Sequence, residues 1–162
     1  MAALAVSAVK QSMLLLTSMT TRSERQARRG THTMAASEAI HRDRVVAVIN
    51  GKGGVLKTTL TANIGGLLAH SGYHVLLVDL DPQGNLAEDL GYTETSTDDE
   101  GAALARGLIV GGDIEVVKDV RPNLDVLPGG TKLEEATAAL VARASRDAVG
   151  AKLALASILS PL

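Results

Sequence analysis

Ten consecutive residues, Asn50–Gly51–Lys52–Gly53–Gly54–Val55–Leu56–Lys57–Thr58–Thr59, gather glycines, two lysines and two hydroxyls into one short stretch. Residue types in this order suit the binding of phosphate groups. Glycines let a backbone curl closely round oxygen atoms where a Cβ would block the approach. A lysine at the start of a helix, here Lys57, can reach terminal phosphates, and the hydroxyl beside it, Thr58, can ligate Mg²⁺. Downstream, Asp79 and Asp81 stand in the string Val78–Asp79–Leu80–Asp81–Pro82–Gln83–Gly84–Asn85. Carboxylates at the C-terminal end of a parallel strand fall beside such a loop, where ligands bind in open α/β sheets. Blander readings exist for both features. A Gly-rich connection needs no ligand, and the two acids can simply cap the next helix, with Pro82 favouring its first turn.

These residues need a strand before the loop and a helix after it. Val45–Val46–Ala47–Val48–Ile49 is an unbroken β-branched run, which predicts a strand buried on both faces. Thr58 to His70 predicts a helix with Leu60, Ile64, Leu67 and Leu68 as its apolar stripe, ended by Ser71–Gly72. His74 to Leu80 contains a second buried strand, so the unit is a βαβ crossover of a parallel sheet. Beyond Gly91 the chain turns polar and acidic, as a solvated loop would. A short helix over about Ala102–Ile109, a Gly111–Gly112 turn, a strand at Leu124–Leu127 closed by Pro128–Gly129–Gly130, and helices over Lys132–Ser145 and Asp147–Leu159 complete the expected order.

Composition narrows the function classes. The chain has 162 residues, 46% hydrophobic and 21% charged, the balance of one globular domain. Two tyrosines are its only aromatic residues, which leaves almost nothing to stack on nucleic-acid bases. A net charge of −2 gives no overall electrostatic footprint for DNA. The absence of cysteine excludes disulfides, thiolate metal sites and cysteine nucleophiles. No apolar run approaches the ~20 residues that span a bilayer, so no membrane role and a cytoplasmic setting are expected. His41, His70 and His74 have no metal-site spacing. Residues 1–43 differ from the rest: up to Gly30 there is one acid, Glu24, against Lys10, Arg22, Arg25, Arg28 and Arg29. That composition fits a disordered extension, an upstream start with Met34 opening the true protein, or an organellar transit peptide. The fold expectation therefore rests on residues 44–162.

The loop resembles the deviant Walker A motif of the ParA/MinD family of P-loop ATPases, whose extra lysine stands at Lys52. The Asp-Pro-Gln-Gly-Asn string resembles the partition (ParA/Soj) branch, and Asn123 to Gly129 resembles the strand and turn that precede the family's second half. The resemblance implies an α/β, P-loop NTPase-type parallel sheet with flanking helices, present here as the N-terminal half, 44–162, with the C-terminal strands missing. It implies ATP and Mg²⁺ as ligands, held by Gly51, Lys52, Gly53, Gly54, Val55, Leu56, Lys57, Thr58 and Thr59. It assigns the metal to Thr58 and Asp79, and catalysis to Asp81, which positions the attacking water, and to Lys52, which reaches the partner subunit's nucleotide. A homodimer closed on nucleotide, a ParB-like partner and non-specific DNA are the implied partners, with nucleoid association, although the DNA-binding surface lies in the missing half.

Two departures qualify the resemblance. Leu56 stands where the family has glycine, in a backbone region where a side chain costs on the order of 1–3 kcal/mol. The Leu56 side chain could also crowd the phosphates, and nucleotide affinity is expected to fall by about a decade or more, each ~1.4 kcal/mol being tenfold. The family's Walker B strand, which lies beside the P-loop strand, is not found after Leu127, so an unpaired apolar edge, marginal stability and poor hydrolysis are expected. Three functions follow: an ATPase of DNA segregation, a non-catalytic interaction module or pseudo-ATPase remnant, and an amidoligase-type synthetase of the cobyrinate or dethiobiotin kind. The Asp-Pro-Gln-Gly-Asn string favours the first over the third.

Overall fold

A computed structural model describes residues 12–18, 44–52, 54–93, 95 and 97–162. Among the described residues, five strands and five helices follow in chain order. They are β1 (Ser12–Ser18), β2 (Arg44–Ile49), α1 (Lys57–His70), β3 (His74–Asp79), α2 (Leu86–Leu90), α3 (Ala102–Val110), β4 (Val117–Arg121), β5 (Leu124–Leu127), α4 (Leu133–Ala144) and α5 (Ala148–Leu159). The strands form one sheet in the order β2-β1-β3-β5-β4. β3 and β5 are parallel neighbours, with Val75 opposite Leu124 and Val78 opposite Leu127. β1 pairs antiparallel with both β2 and β3, so β2 and β3 run parallel to each other without touching. The architecture is α/β with flanking helices, and the sheet is mixed rather than purely parallel.

Alternation along β3 and β5 splits the core into two layers. Val75, Leu77, Leu124 and Val126 pack with Ala62 and Ala69 of α1 and with Leu86, Ala87 and Leu90 of α2. Val78 and Leu127 face the other way, into a cluster with Leu104, Leu108, Leu133, Leu140, Ala154 and Ile158 of α3, α4 and α5. This is a three-layer sandwich, the standard way to bury both faces of a sheet. Asp125 is buried on β5, but its carboxylate accepts from the Lys118 ammonium at 3.0 Å and the Asp119 amide at 2.9 Å. A buried charge supplied with donors in this way is tolerated.

Three expectations are corrected. First, β2 is not buried on both faces: Val45, Val46 and Ile49 are each about half exposed. α1 packs chiefly over β3 and β1 and only lightly over β2, and β2 has no second strand neighbour among the described residues. Second, α1 does not bury the stripe Leu60, Ile64 and Leu67; those side chains are exposed, while Thr61, Ala62, Gly65 and Ala69 are buried. The reason is closeness of approach. A Cβ at Gly65 would sit 2.8 Å from the Leu77 side chain, so the helix meets β3 through its small residues. Third, Ser12–Ser18, in the segment set aside as an extension, is a strand inside the sheet. Its run Met13–Leu14–Leu15–Leu16 has the length and apolarity of a fully paired strand. The remainder of the 1–43 expectation lies outside the described residues.

Candidate functional site

β2 ends at Ile49 and the chain turns at once into the loop. The Lys52 amide donates to the Asn50 side chain at 3.0 Å, and Gly54 takes a φ of +69° that favours glycine. Leu56 follows at φ 60° and ψ 22°, in the left-handed region, and serves as the N-cap of α1. No side chain caps this helix. The first intrahelical bond joins the Leu60 amide to the Leu56 carbonyl at 2.9 Å. The amides before Leu60 in the first turn therefore lack helical partners, and they carry the positive end of the dipole of a 14-residue helix. The Lys57 ammonium folds back over the loop and donates to the Lys52 carbonyl at 3.3 Å. The loop is thus a cradle of donors around a cation.

A groove of about 330 Å³ opens in front of this helix end. Gly54, Val55, Leu56, Lys57, Thr58 and Thr59 line one side, and Asp81, Gln83, Asn85, Glu88 and Asp89 line the other. Its volume falls in the range of small-molecule sites, roughly 300–1,000 Å³. Gln83 donates its amide to the Asp81 carboxylate at 3.0 Å, and Asn85 donates its side-chain amide to Gln83 at 3.2 Å. Three carboxylates therefore face a lysine and the helix end. A polyphosphate entering here meets donors on one wall and acids on the other, an arrangement that fits only if a cation accompanies the anion. The residues present fit a nucleotide with a divalent metal.

Asp79 is placed differently. It is 1% exposed and does not line the groove. One of its oxygens accepts from the Asp81 amide at 2.9 Å and the other from the Leu86 amide at 3.3 Å. These bonds fold the β3–α2 turn and aim Asp81 outward. Burial, the largest influence, pushes the Asp79 carboxyl up to about 6 against the pull of the two amides. Burial and the nearby Asp79 charge also hold the Tyr92 phenol well above its usual range. Of the residues singled out from sequence, Gly54 to Thr59 and Asp81 come together at the groove. Gly51 and Lys52 lie in the exposed loop outside it, Asp79 lies beneath it, and Gly53 lies outside the described residues. No group of three His, Cys, Asp or Glu side chains among the described residues is arranged to hold a metal by itself.

Sequence reasoning missed Glu88 and Asp89, which the short helix α2 brings to the groove, and also Gly129. A Cβ at Gly129 would lie 2.7 Å from the Asp79 carboxyl carbon and 2.8 Å from the carbonyl oxygens of Asp79 and Asp81. The turn after β5 therefore presses against the back of both acids, and only glycine fits. The Pro128–Gly129–Gly130 string was the available signal.

The AAA domain family profile matches residues 43–162, most of the chain. The chain belongs to the ParA-type P-loop ATPase family, as its N-terminal part. The sporulation initiation inhibitor protein Soj of Bacillus subtilis is 39% identical over 106 residues, covering 64% of this chain and 41% of that protein. The chromosome partitioning protein ParA of Caulobacter vibrioides is 41% identical over 92 residues, covering 56% and 33% respectively. The chromosome-partitioning ATPase Soj of Treponema pallidum is 37% identical over 112 residues, covering 64% and 40%. The chain thus spans about two fifths or less of the length of these relatives. No solved structure matches it. No helix among the described residues is long and apolar enough to cross a membrane.

Proposed function

We propose that this chain binds ATP with Mg²⁺ in the groove before α1 and acts in DNA partition as a ParA-family protein. The observation that carries this reading is the meeting of Lys57, Thr58 and Asp81 at the uncapped end of α1. Bound ATP and Mg²⁺ would supply the scissile phosphoanhydride and the neutralising charge. The first-turn amides of α1 would donate to phosphate oxygens, and the Lys57 ammonium would exchange the Lys52 carbonyl for phosphate. The Thr58 hydroxyl would hold the metal, and Asp81, aimed by Asp79 and Gln83, would accept a hydrogen bond from water. Lys52 is exposed beyond the groove, which suits contact with nucleotide on a second copy. A ParB-like protein and DNA are the partners that the relatives' partition role suggests, with the nucleoid as the place of work.

Titration of Mg-ATP by calorimetry tests the reading. Binding should be measurable for the chain and at least tenfold weaker for Lys57→Ala, about 1.4 kcal/mol or more. Equal affinities would reject the site. A second reading, binding without turnover, is favoured by Leu56, whose side chain stands 71% exposed at the groove wall, and by Asp79, whose two oxygens are already engaged. Steady release of phosphate above background separates the two.

A further inference from the structure

Three connections meet behind the groove, and they touch backbone to backbone. The first is the β3–α2 turn that carries Asp81, the second is the Gly129–Gly130 turn after β5, and the third is the loop 98–101 that leads into α3. A Cβ on Gly129 would strike the carbonyl oxygens of Asp79 and Asp81, and one on Gly84 would lie 3.1 Å from the Gly129 carbonyl oxygen. On the far side of the same turn, a Cβ on Gly130 would lie 2.5 Å from the Glu100 carbonyl oxygen, and one on Gly101 would lie 3.1 Å from the Gly130 nitrogen. No side chain cushions these contacts, so a shift in one layer passes to the next. Glu100 fastens the outer layer twice. Its carbonyl accepts from the Lys132 amide at 3.2 Å, and its carboxylate accepts from the Thr131 hydroxyl at 3.3 Å. It does so from left-handed backbone, at φ 54°, where glycine is the ordinary residue. Asp99 secures the loop by accepting from the amides of Gly101 and Ala103 at 2.9 and 2.7 Å.

We propose that Glu100 is a positioning residue for Asp81, acting through the Gly129–Gly130 turn. The role rests on the nucleotide reading above, in which Asp81 faces the ligand across the groove. Within its own turn Asp81 is held by local bonds: its carbonyl accepts from the Gly84 amide and its carboxylate from the Gln83 amide, each at 3.0 Å. Such bonds fix the shape of the turn, while its tilt toward α1 is fixed by what stands behind it. Behind it stands Gly129, and the turn that holds Gly129 is pinned from the other side by Glu100. Left-handed backbone at a residue other than glycine lowers stability, and it persists where the surrounding structure holds it in place, often at a site. Glu100 does not line the groove; its effect arrives by way of the two glycines. Errors of about 1 Å in the placement of a site residue are costly, so a slack outer layer weakens the site without removing any residue from it.

Two substitutions loosen the outer layer in different ways. Thr131→Val removes the hydroxyl and keeps the side-chain shape, whereas Glu100→Gly removes the carboxylate and relaxes the backbone. Both should quicken hydrogen exchange at the Gln83 and Gly84 amides at least threefold, followed residue by residue by NMR, while Leu124–Leu127 stays protected. Both should weaken Mg-ATP binding at least threefold by calorimetry, about 0.6 kcal/mol or more. Melting should not follow affinity: Glu100→Gly, freed of the left-handed penalty, should melt within about 2 °C of the parent. Thr131→Ser and Glu100→Gln, which keep the donor and the acceptor, should restore parental exchange and affinity. Unchanged exchange at Gln83 and Gly84 would overturn the proposal, as would failure of the two conservative variants to restore it. Exchange quickened equally along Leu124–Leu127 would show a loss of stability in place of positioning, and quickened exchange with full affinity would show that the turn does not matter to binding; either result rejects the role. Should Glu100→Gly fail to fold, Thr131→Val decides. A parent chain that binds no ATP, with exchange and rescue as expected, would instead reject the nucleotide reading and leave the link from Glu100 to the Asp81 turn standing.

Discussion

Replacing Leu56 separates two effects that one residue combines. At φ 60° and ψ 22° a side chain costs roughly 1–2 kcal/mol relative to right-handed backbone. The free protein already carries that cost, so it lowers folding stability and leaves affinity untouched. The Leu56 side chain is 71% exposed, so truncation loses little burial. Leu56→Gly removes the left-handed penalty but gives back about 0.5–1 kcal/mol of unfolded-chain entropy. The net expectation is a gain of about 0.5–1 kcal/mol, or roughly 1–4 °C in melting temperature for a chain of this size. Leu56→Ala keeps a Cβ, hence the penalty, and should melt no higher than the parent. Crowding of the groove behaves otherwise, since both substitutions clear the wall. Mg-ATP affinity should rise by a similar factor, about tenfold, in both. Thermal melts and calorimetric titrations of the three proteins give the comparison. Equal melting of the Ala and Gly variants would refute the strain argument, and affinity gained by Gly alone would refute crowding.

Two further substitutions probe the floor of the site. Asp79 is held at about 6 in the folded protein, above its ordinary 3.8, so the folded state binds the proton more tightly than the unfolded chain. Its contribution is fully present below about pH 4 and is lost as pH rises through about 6, with a span on the order of 3 kcal/mol. The stability difference between the parent and Asp79→Asn, measured by urea melts, should therefore shift against the parent from pH 4 to pH 7; a flat difference would show that Asp79 does not titrate there. Gly129→Ala should destabilise by about 1–3 kcal/mol, because the added methyl meets carbonyl oxygens that cannot swing away. It should also weaken Mg-ATP binding by displacing the turn that aims Asp81, and parent-like melting would contradict the close approach at Gly129.

Much of the site was legible because its signals are local. The β-branched run at Val45–Ile49, the glycines after it and the Asp-Pro-Gln-Gly-Asn string each specify backbone within a few residues, and the strand–loop–helix–strand order follows. The limits of α1, α3, α4 and α5 fell within two residues of expectation for the same reason. What escaped depends on contacts distant in sequence. The buried face of α1 could not be read from its leucines, because Gly65 brings the helix so close to Leu77 that the small residues take the interface. β4 has apolar residues at Val117 and Val120, off the two-residue period of a strand, and it accommodates that spacing only through irregular pairing and Asp119 at φ 51°. α2, at five residues, is too short to show a period. For Asp79, the place at the end of β3 was legible, but its burial beneath the turn, facing Gly129, depends on β5.

The same division between local and distant causes explains why β1 is the consequential surprise. Composition set residues 1–43 apart, and composition cannot register that a run of four apolar residues among basic and hydroxyl neighbours pairs with both β2 and β3. In this sheet the βαβ unit has β2 and β3 parallel and one strand apart. An antiparallel strand satisfies both open edges at once, whereas the same segment left in solvent would leave two rows of backbone groups without partners. One edge of β2 is closed by β1, and among the described residues no strand pairs with the other edge.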